Sequence, residues 1–191
     1  MAGKVEVPLQ WALRVGPPTS VVLATCASAD GRPNIITLGM YMPISARPPM
    51  VVIGVSPRRY SHGLIRETGE FVVNVPPRGL VGQVVFCGQV SGRDHDKFRE
   101  AGLTPVPASR VKPPLIGECV SHLECRVAAS HECGDHTLFV GEVAAAHVTE
   151  GMLRTDETLD VQRAQPISHK GGRYFAPTLI HEVRSEGVGP P

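Results

Sequence analysis

Residues 34–76 constrain the fold more than any other stretch: NIITLGMYMPISARPPMVVIGVSPRRYSHGLIRETGEFVVNVP. Two apolar runs meet at the Arg47-Pro48-Pro49 corner, a polar linker leads into a helix-sized segment, and a third apolar run follows. β-Branched side chains pack well on a pleated surface, while Pro breaks a helix interior and cannot donate to a ladder. Short strands joined by tight corners satisfy both facts, and a helical bundle satisfies neither. The rest of the chain keeps this pattern. Its 18 Pro and 20 Gly fall at joints between apolar runs, and aromatics are only 5% of 191 residues, as suits a Val-rich β core.

Read in order, Thr19 to Cys26 is a strand and Ala29-Asp30-Gly31-Arg32-Pro33 a hairpin turn. Asn34 to Ser45 reads as one long strand and Met50 to Val55 as a short strand buried on both faces, completing a three-strand meander. Ser61 to Thr68 has helical spacing and a Gly69 stop, and Glu70 to Val75 is a fourth strand. Leu80 to Val90 and Asp94 to Ala101 predict short helices, the second capped at Gly92 to Asp94 and stopped by Gly102; Leu103 to Pro114 reads as irregular, its four prolines denying it most of a ladder. Leu115 to Ser130 and His136 to Val148 predict a large hairpin. Its first arm alternates, with Cys119, Ser121, Leu123, Cys125 and Val127 on one face and Val120, His122, Glu124 and Arg126 on the other. A polar excursion runs from Thr149 to Gln165, and Ser185 to Pro191 reads as a frayed tail.

Bulk properties narrow the function. A net charge of +1 gives no basis for a nucleic-acid or membrane-surface partner. No apolar run reaches the roughly 18 residues of a membrane span, and MAGKVEVPLQW lacks the pattern of a signal peptide. Five cysteines, an odd number in a chain of this size, fit reduced thiols better than disulfides. A soluble cytoplasmic protein is the expectation.

Chemistry concentrates in the linker Ser56 to His62, which packs two guanidiniums, two hydroxyls, a phenol and an imidazole before a helix start. Arg forks suit phosphate oxygens, and free N–H groups at a helix start favour anions; a solvated basic turn is the alternative. The whole stretch resembles, in order, the flavin reductase-like FMN-binding split barrels. Three later segments carry the same resemblance: CGQVSGRDHDKF at Cys87 to Phe98, DHTLFVGEV at Asp135 to Val143, and ISHKGGRYF at Ile167 to Phe175. It is closest to the flavoredoxin-like branch. It implies a mainly β, antiparallel Greek-key split barrel with short flanking helices, spanning 18–176 between an N-terminal extension, 1–17, and a tail, 177–191.

The resemblance also implies roles. FMN is the cofactor, with NAD(P)H as electron donor and a flavin, metal complex or redox protein as acceptor; a non-enzymatic FMN electron carrier of flavoredoxin type is the alternative. Asn34, Thr37, Leu38, Gly39 and Met40 lie beside the flavin. Ser56, Arg58, Arg59, Tyr60 and Ser61 form the phosphate and ribityl side. Ser91 and Lys97 contact ring or ribityl chain, unless Asp94, Asp96 and Lys97 are only a helix start with a surface pair. Tyr41 supplies the aromatic beside the ring, or else points into the core and leaves that face to Met40. His169 and Tyr174, in the closing segment, stand at the flavin or nicotinamide face, and His62 is either a site residue or a cap. His131, Cys133 and His136 match no zinc spacing and fit a polar hairpin bend, so no metal is assigned. No dinucleotide fingerprint occurs, so a nicotinamide donor would bind without a Rossmann unit. The family's habit implies a homodimer.

Overall fold

The computed structural model describes residues 3–182, and the expected frayed tail, Ser185 to Pro191, lies outside them. A 3-10 turn at Leu9–Arg14 precedes β1 (Thr19–Ser20), β2 (Val22–Ala27), β3 (Pro33–Leu38), β4 (Tyr41–Ala46) and β5 (Pro49–Val55). Then come α1 (Tyr60–Thr68), β6 (Glu70–Val75), a 3-10 turn (Arg78–Leu80), α2 (Val81–Gln89) and α3 (Lys97–Ala101). The chain ends with β7 (Pro105–Val106), β8 (Leu115–Ile116), β9 (Ser121–Cys133), β10 (His136–Val148), α4 (Val161–Ala164), β11 (Ser168–Lys170) and β12 (Arg173–Phe175).

Seven antiparallel strands form one sheet in the order β3-β2-β6-β9-β10-β5-β4. The late β9–β10 hairpin is inserted between β6 and β5, which is the Greek-key feature. The sheet curls until β3 meets β5, yet among the described residues no ladder joins β3 to β4. The barrel is therefore split along the seam between its two edge strands.

That seam corrects the sequence reading. Asn34 to Ser45 is not one strand; it breaks at Gly39 and Met40, which carry the chain from one edge to the other. The expected meander becomes two hairpins, β2–β3 and β4–β5, on opposite sides of the sheet. The first arm of the late hairpin begins at Ser121, with Leu115–Ile116 pairing β7 instead. Helix α3 begins at Lys97, where Asp96 accepts the Arg99 N–H as its cap.

Local chemistry accounts for the parts that match. Gly69 ends α1 at φ 68°, donating to the Ile65 carbonyl, and Gly102 ends α3 at φ 64°; both lie in the left-handed region that glycine adopts without strain. All six residues of β2 are buried, because it carries two cores. Val22, Ala24 and Cys26 join Ile53, Phe71 and Phe139 inside the barrel, with Leu64 and Ile65 of α1. Leu23 joins Ile35, Val84, Phe98 and Ile116 in an outer layer under α2 and α3. Gly141, at a bulge between β9 and β10, leaves room for the Phe71 ring, since a Cβ there would stand 2.5 Å from Phe71 Cζ.

On the polar face of β9, His122 and Glu124 do not meet solvent, while Arg126 does. Glu124 is fully buried and accepts from the Ser109 backbone N–H and hydroxyl, the Arg110 N–H, and His147 Nε2 at 2.7 Å. His122 Nδ1 donates to Asn74 Oδ1 at 2.8 Å, an oxygen that also accepts from the Ile116 N–H. The Pro-rich segment around Ser109 is thus pinned over β9 by a carboxylate, which satisfies its loop N–H groups.

Candidate functional site

β3 is an edge strand paired only with β2, so alternate backbone groups on its other side are free of the ladder. The Ile35 carbonyl is one of them: Lys97 Nζ donates to it at 2.8 Å, and to the Cys87 carbonyl at 2.8 Å. Lys97 is 5% exposed, so it is no surface residue. Its side chain clamps α3 to β3 and to α2, and burial pulls its pKa down from the usual lysine value. Thr37 ties β3 to α2 as well, through its hydroxyl and the Val84 carbonyl, 2.6 Å.

Between β3, the start of α1 and the α2–α3 connection lies a cavity of about 210 Å³. Ten of the residues singled out in the sequence line it: Asn34, Thr37, Leu38, Ser56, Arg58, Arg59, Tyr60, Ser61, Ser91 and Lys97. Sequence reasoning missed Ile36, Cys87, Gly88, Gln89, Val90, Gly92 and Arg93 as lining residues, although all but Ile36 belong to the Cys87 to Phe98 segment already in view. Arg93 stacks over the Tyr60 ring, its Cζ 5.4 Å from the centroid.

Four cations, Arg58, Arg59, Arg93 and Lys97, surround this cavity and no carboxylate lines it. Neither Arg58 nor Arg59 lies within salt-bridge distance of a carboxylate among the described residues. Helix α1 starts here without a side-chain cap, so its first N–H groups add partial positive charge. At the base, Asn34 Nδ2 donates to Ser61 Oγ at 2.7 Å, while Asn34 Oδ1 is buried without a partner. Burial pushes the Cys26 and Cys87 thiols up to about 11, which makes both poor nucleophiles at neutral pH.

Just past the end of β3, a broader cavity of about 1070 Å³ is lined by Gly39 and Met40. Its walls are the Ala12 to Pro17 stretch and the β11–β12 turn with His169, Lys170 and Arg173. Gly172 N–H donates to His169 Nε2 at 3.1 Å, so that nitrogen is the unprotonated one in the neutral ring. Met40 is 48% exposed.

Three of the residues named from the sequence lie outside both cavities. Tyr41 lines neither cavity; it packs against the barrel core, where burial raises its pKa, so the face beside Gly39 is Met40's. Tyr174 lines neither cavity and instead supports His169, ring centroids 4.9 Å apart. His62 is not a side-chain cap; its buried ring bonds Thr137 Oγ1 at 2.9 Å and packs on Phe139. Among the described residues no group of three His, Cys, Asp or Glu side chains could hold a metal ion.

Comparison with known proteins agrees with this arrangement. The flavin reductase like domain family matches residues 16–176. The flavoredoxin of Desulfovibrio vulgaris (Miyazaki F) superposes with a TM-score of 0.85 at 27% identity, covering all of both chains. Flavoredoxin from Methanosarcina acetivorans gives a TM-score of 0.85 at 30% identity over 97% of each chain. A curated protein called flavin reductase (NADH), from Kitasatospora aureofaciens, is 34% identical over 128 residues, 67% of this chain and 65% of its own length. The match thus spans just under two thirds of that relative.

Proposed function

The chain belongs to the flavin reductase like family, and on that premise we propose that it is an FMN-dependent oxidoreductase. In this reading electrons enter from NAD(P)H and leave to a flavin, metal complex or protein acceptor. The observation that carries it is the cavity beside β3, ringed by four cations and no carboxylate, with a wider, mostly apolar cavity lined from the next residue, Gly39.

The residues fit FMN. Whole-ligand pockets measure about 300–1,000 Å³, so a cavity of about 210 Å³ suits only one end of a ligand. Arg58, Arg59 and the start of α1 would hold a dianionic phosphate, with Ser56, Ser61 and Asn34 beside the polyol chain. Lys97 adds a buried ammonium that has carbonyl partners and no carboxylate. A flat ring would then lie past Leu38, along Gly39 and Met40, with His169 across the broader cavity. Bound FMN would supply a two-electron redox centre able to accept a hydride. The chain's own work is to anchor one end, leave one ring face open, and present donors along it.

A flavoredoxin-type electron carrier without pyridine-nucleotide activity is the second reading, favoured by the full-length likeness to two flavoredoxins. Anaerobic mixing of the FMN-loaded protein with NADH or NADPH separates the two. Bleaching of the flavin within seconds supports the reductase; a flavin that stays oxidised until a protein donor is added supports the carrier. A protein that takes up no FMN removes both.

We also propose a homodimer. Edge strand β4 exposes Met42 and Ile44, and the N-terminal turn exposes Leu9 and Leu13. An open edge and grouped apolar side chains favour a second copy over water, and two-fold pairing closes the assembly. Light scattering giving twice the 20.4 kDa chain mass supports this, and the monomer mass refutes it. Five free thiols suit the reducing cytoplasm, and among the described residues no helix is long and apolar enough to cross a membrane.

A further inference from the structure

The broader cavity is built from two distant parts of the chain, the Ala12 to Pro17 stretch and the β11–β12 turn. No residue of the 3-10 turn at Leu9–Arg14 is buried, so packing alone does not fix that wall. Lys170 ties it down: its Nζ donates to the Leu13 carbonyl at 2.6 Å and lies beside Gly16, where a Cβ would stand 3.8 Å from it. β11 is held in turn by β1 and β12. Arg14, on the tied stretch, and Arg173, on β12, thereby line the same cavity.

The charge of this cavity is one-sided. Arg14, Lys170 and Arg173 line it and no carboxylate does. None of the three lies within salt-bridge distance of a carboxylate among the described residues. Bulk charge does not account for the gathering, since the chain carries 19 Lys and Arg against 18 Asp and Glu. Like charges converging on a partly enclosed space repel one another, and an anion among them relieves the repulsion. Lys170 already has a carbonyl partner. The two guanidiniums keep their donor forks, which match the paired oxygens of a carboxylate. Arg14 also lies over the Trp11 ring, its Cζ 5.9 Å from the centroid, a contact that steadies the side chain.

The rest of the lining is mostly apolar, with Ala12, Leu13, Pro17 and Met40 as its side chains and Thr19 supplying a hydroxyl. A sugar-phosphate chain needs many polar partners and would find few here, whereas a flat hydrocarbon body needs none. At about 1070 Å³ the cavity exceeds the 300–1,000 Å³ or so of a site for one drug-sized ligand, so a flat molecule has room even with a flavin ring beside it. We propose that this cavity is a binding site for a flat organic acid, whose carboxylate is held by Arg14 and Arg173 and whose rings lie on the apolar walls. The inference goes beyond the FMN reading, which gives no role to either arginine, and it does not depend on that reading.

The test is calorimetric titration of the full chain, loaded with FMN, with naphthoate and with naphthamide, its uncharged isostere. Wild type is expected to bind naphthoate about tenfold more tightly than naphthamide at about 50 mM salt, and the gap should shrink at about 500 mM. Arg14→Gln and Arg173→Gln should each weaken naphthoate about threefold, and the two together about tenfold, as exposed charge pairs do. Naphthamide should stay within twofold in every variant, with a thermal melt to confirm folding. The comparison of the two ligands on wild type decides the matter even where a variant does not fold. Naphthamide bound as tightly as naphthoate, no binding of naphthoate, unchanged naphthoate affinity in the folded double variant, or equal weakening of both ligands overturns the inference. A protein that takes up no FMN overturns the FMN reading alone, and the same titrations of the cofactor-free chain then decide this inference separately.

Discussion

Replacing Lys97 by Met removes a buried ammonium while nearly keeping the volume of the side chain. In the protein without cofactor two effects oppose each other. The Ile35 and Cys87 carbonyls lose their 2.8 Å donor, at about 1–3 kcal/mol for each buried acceptor left unmet. Against that, a cation 5% exposed and without a carboxylate no longer has to be desolvated, which returns several kcal/mol. The two nearly offset, to within about 2 kcal/mol, so the melting temperature should move by less than about 8 °C. Binding has no such offset. Loss of one charge-assisted contact to the ligand is about 1.5–3 kcal/mol, which weakens FMN between about 10- and 150-fold. Fluorescence quenching titrations of both proteins at fixed salt measure this directly. A folded Lys97→Met protein that keeps FMN affinity within threefold of wild type would refute the reasoning, and Lys97 would be only the clamp between α3, α2 and β3.

Other outcomes follow from other parts of the molecule. Arg58→Ala and Arg59→Ala should weaken FMN, at least one of them by about 1.5 kcal/mol or more, and leave riboflavin binding unaffected; equal losses for both ligands would move the phosphate elsewhere. His122 is buried, and burial holds its pKa down at about 4, against 6.5 for a free imidazole. The unfolded chain therefore takes up a proton first as pH falls, and stability drops between pH 6.5 and 4. Urea unfolding should show wild type losing about 2 kcal/mol more than His122→Gln between pH 7 and pH 5, and parallel losses would contradict the assignment. Gly141→Ala drives a Cβ to 2.5 Å from Phe71 Cζ and 2.9 Å from Cys125 Cβ. Overpacking at this fully buried contact should cost about 1–3 kcal/mol in denaturant unfolding, and an unchanged midpoint would mean that the bulge has slack.

Legibility in the sequence followed the range of the forces involved. α1, its Gly69 stop and β6 were readable because capping and β-branched runs act within a few residues. The break at Gly39 and Met40 was not, because apolar character continues through it and only the closing of the sheet demands a corner there. His122 and Glu124 alternate as an outward face should; Glu124 is covered by the Ser109 segment, brought in from elsewhere in the sequence, and His122 bonds Asn74 of β6. The same holds at the site. Residues of β3 and of the Ser56 to His62 linker were identified from their chemistry and family resemblance. Gln89, at the end of α2, and Val90 and Arg93, on the α2–α3 connection, approach β3 over the outer core of Ile35, Val84 and Phe98. Tyr41 was offered as a ring neighbour on residue type, and its position on the far side of the seam turns it into the barrel.

The most direct measurement is a titration of the purified protein with FMN and, in parallel, riboflavin. Saturable quenching at one FMN per chain, with riboflavin bound more weakly, is the result expected if the cationic cavity beside β3 takes the phosphate end. Absence of saturable FMN binding, or riboflavin bound as tightly as FMN, would contradict it.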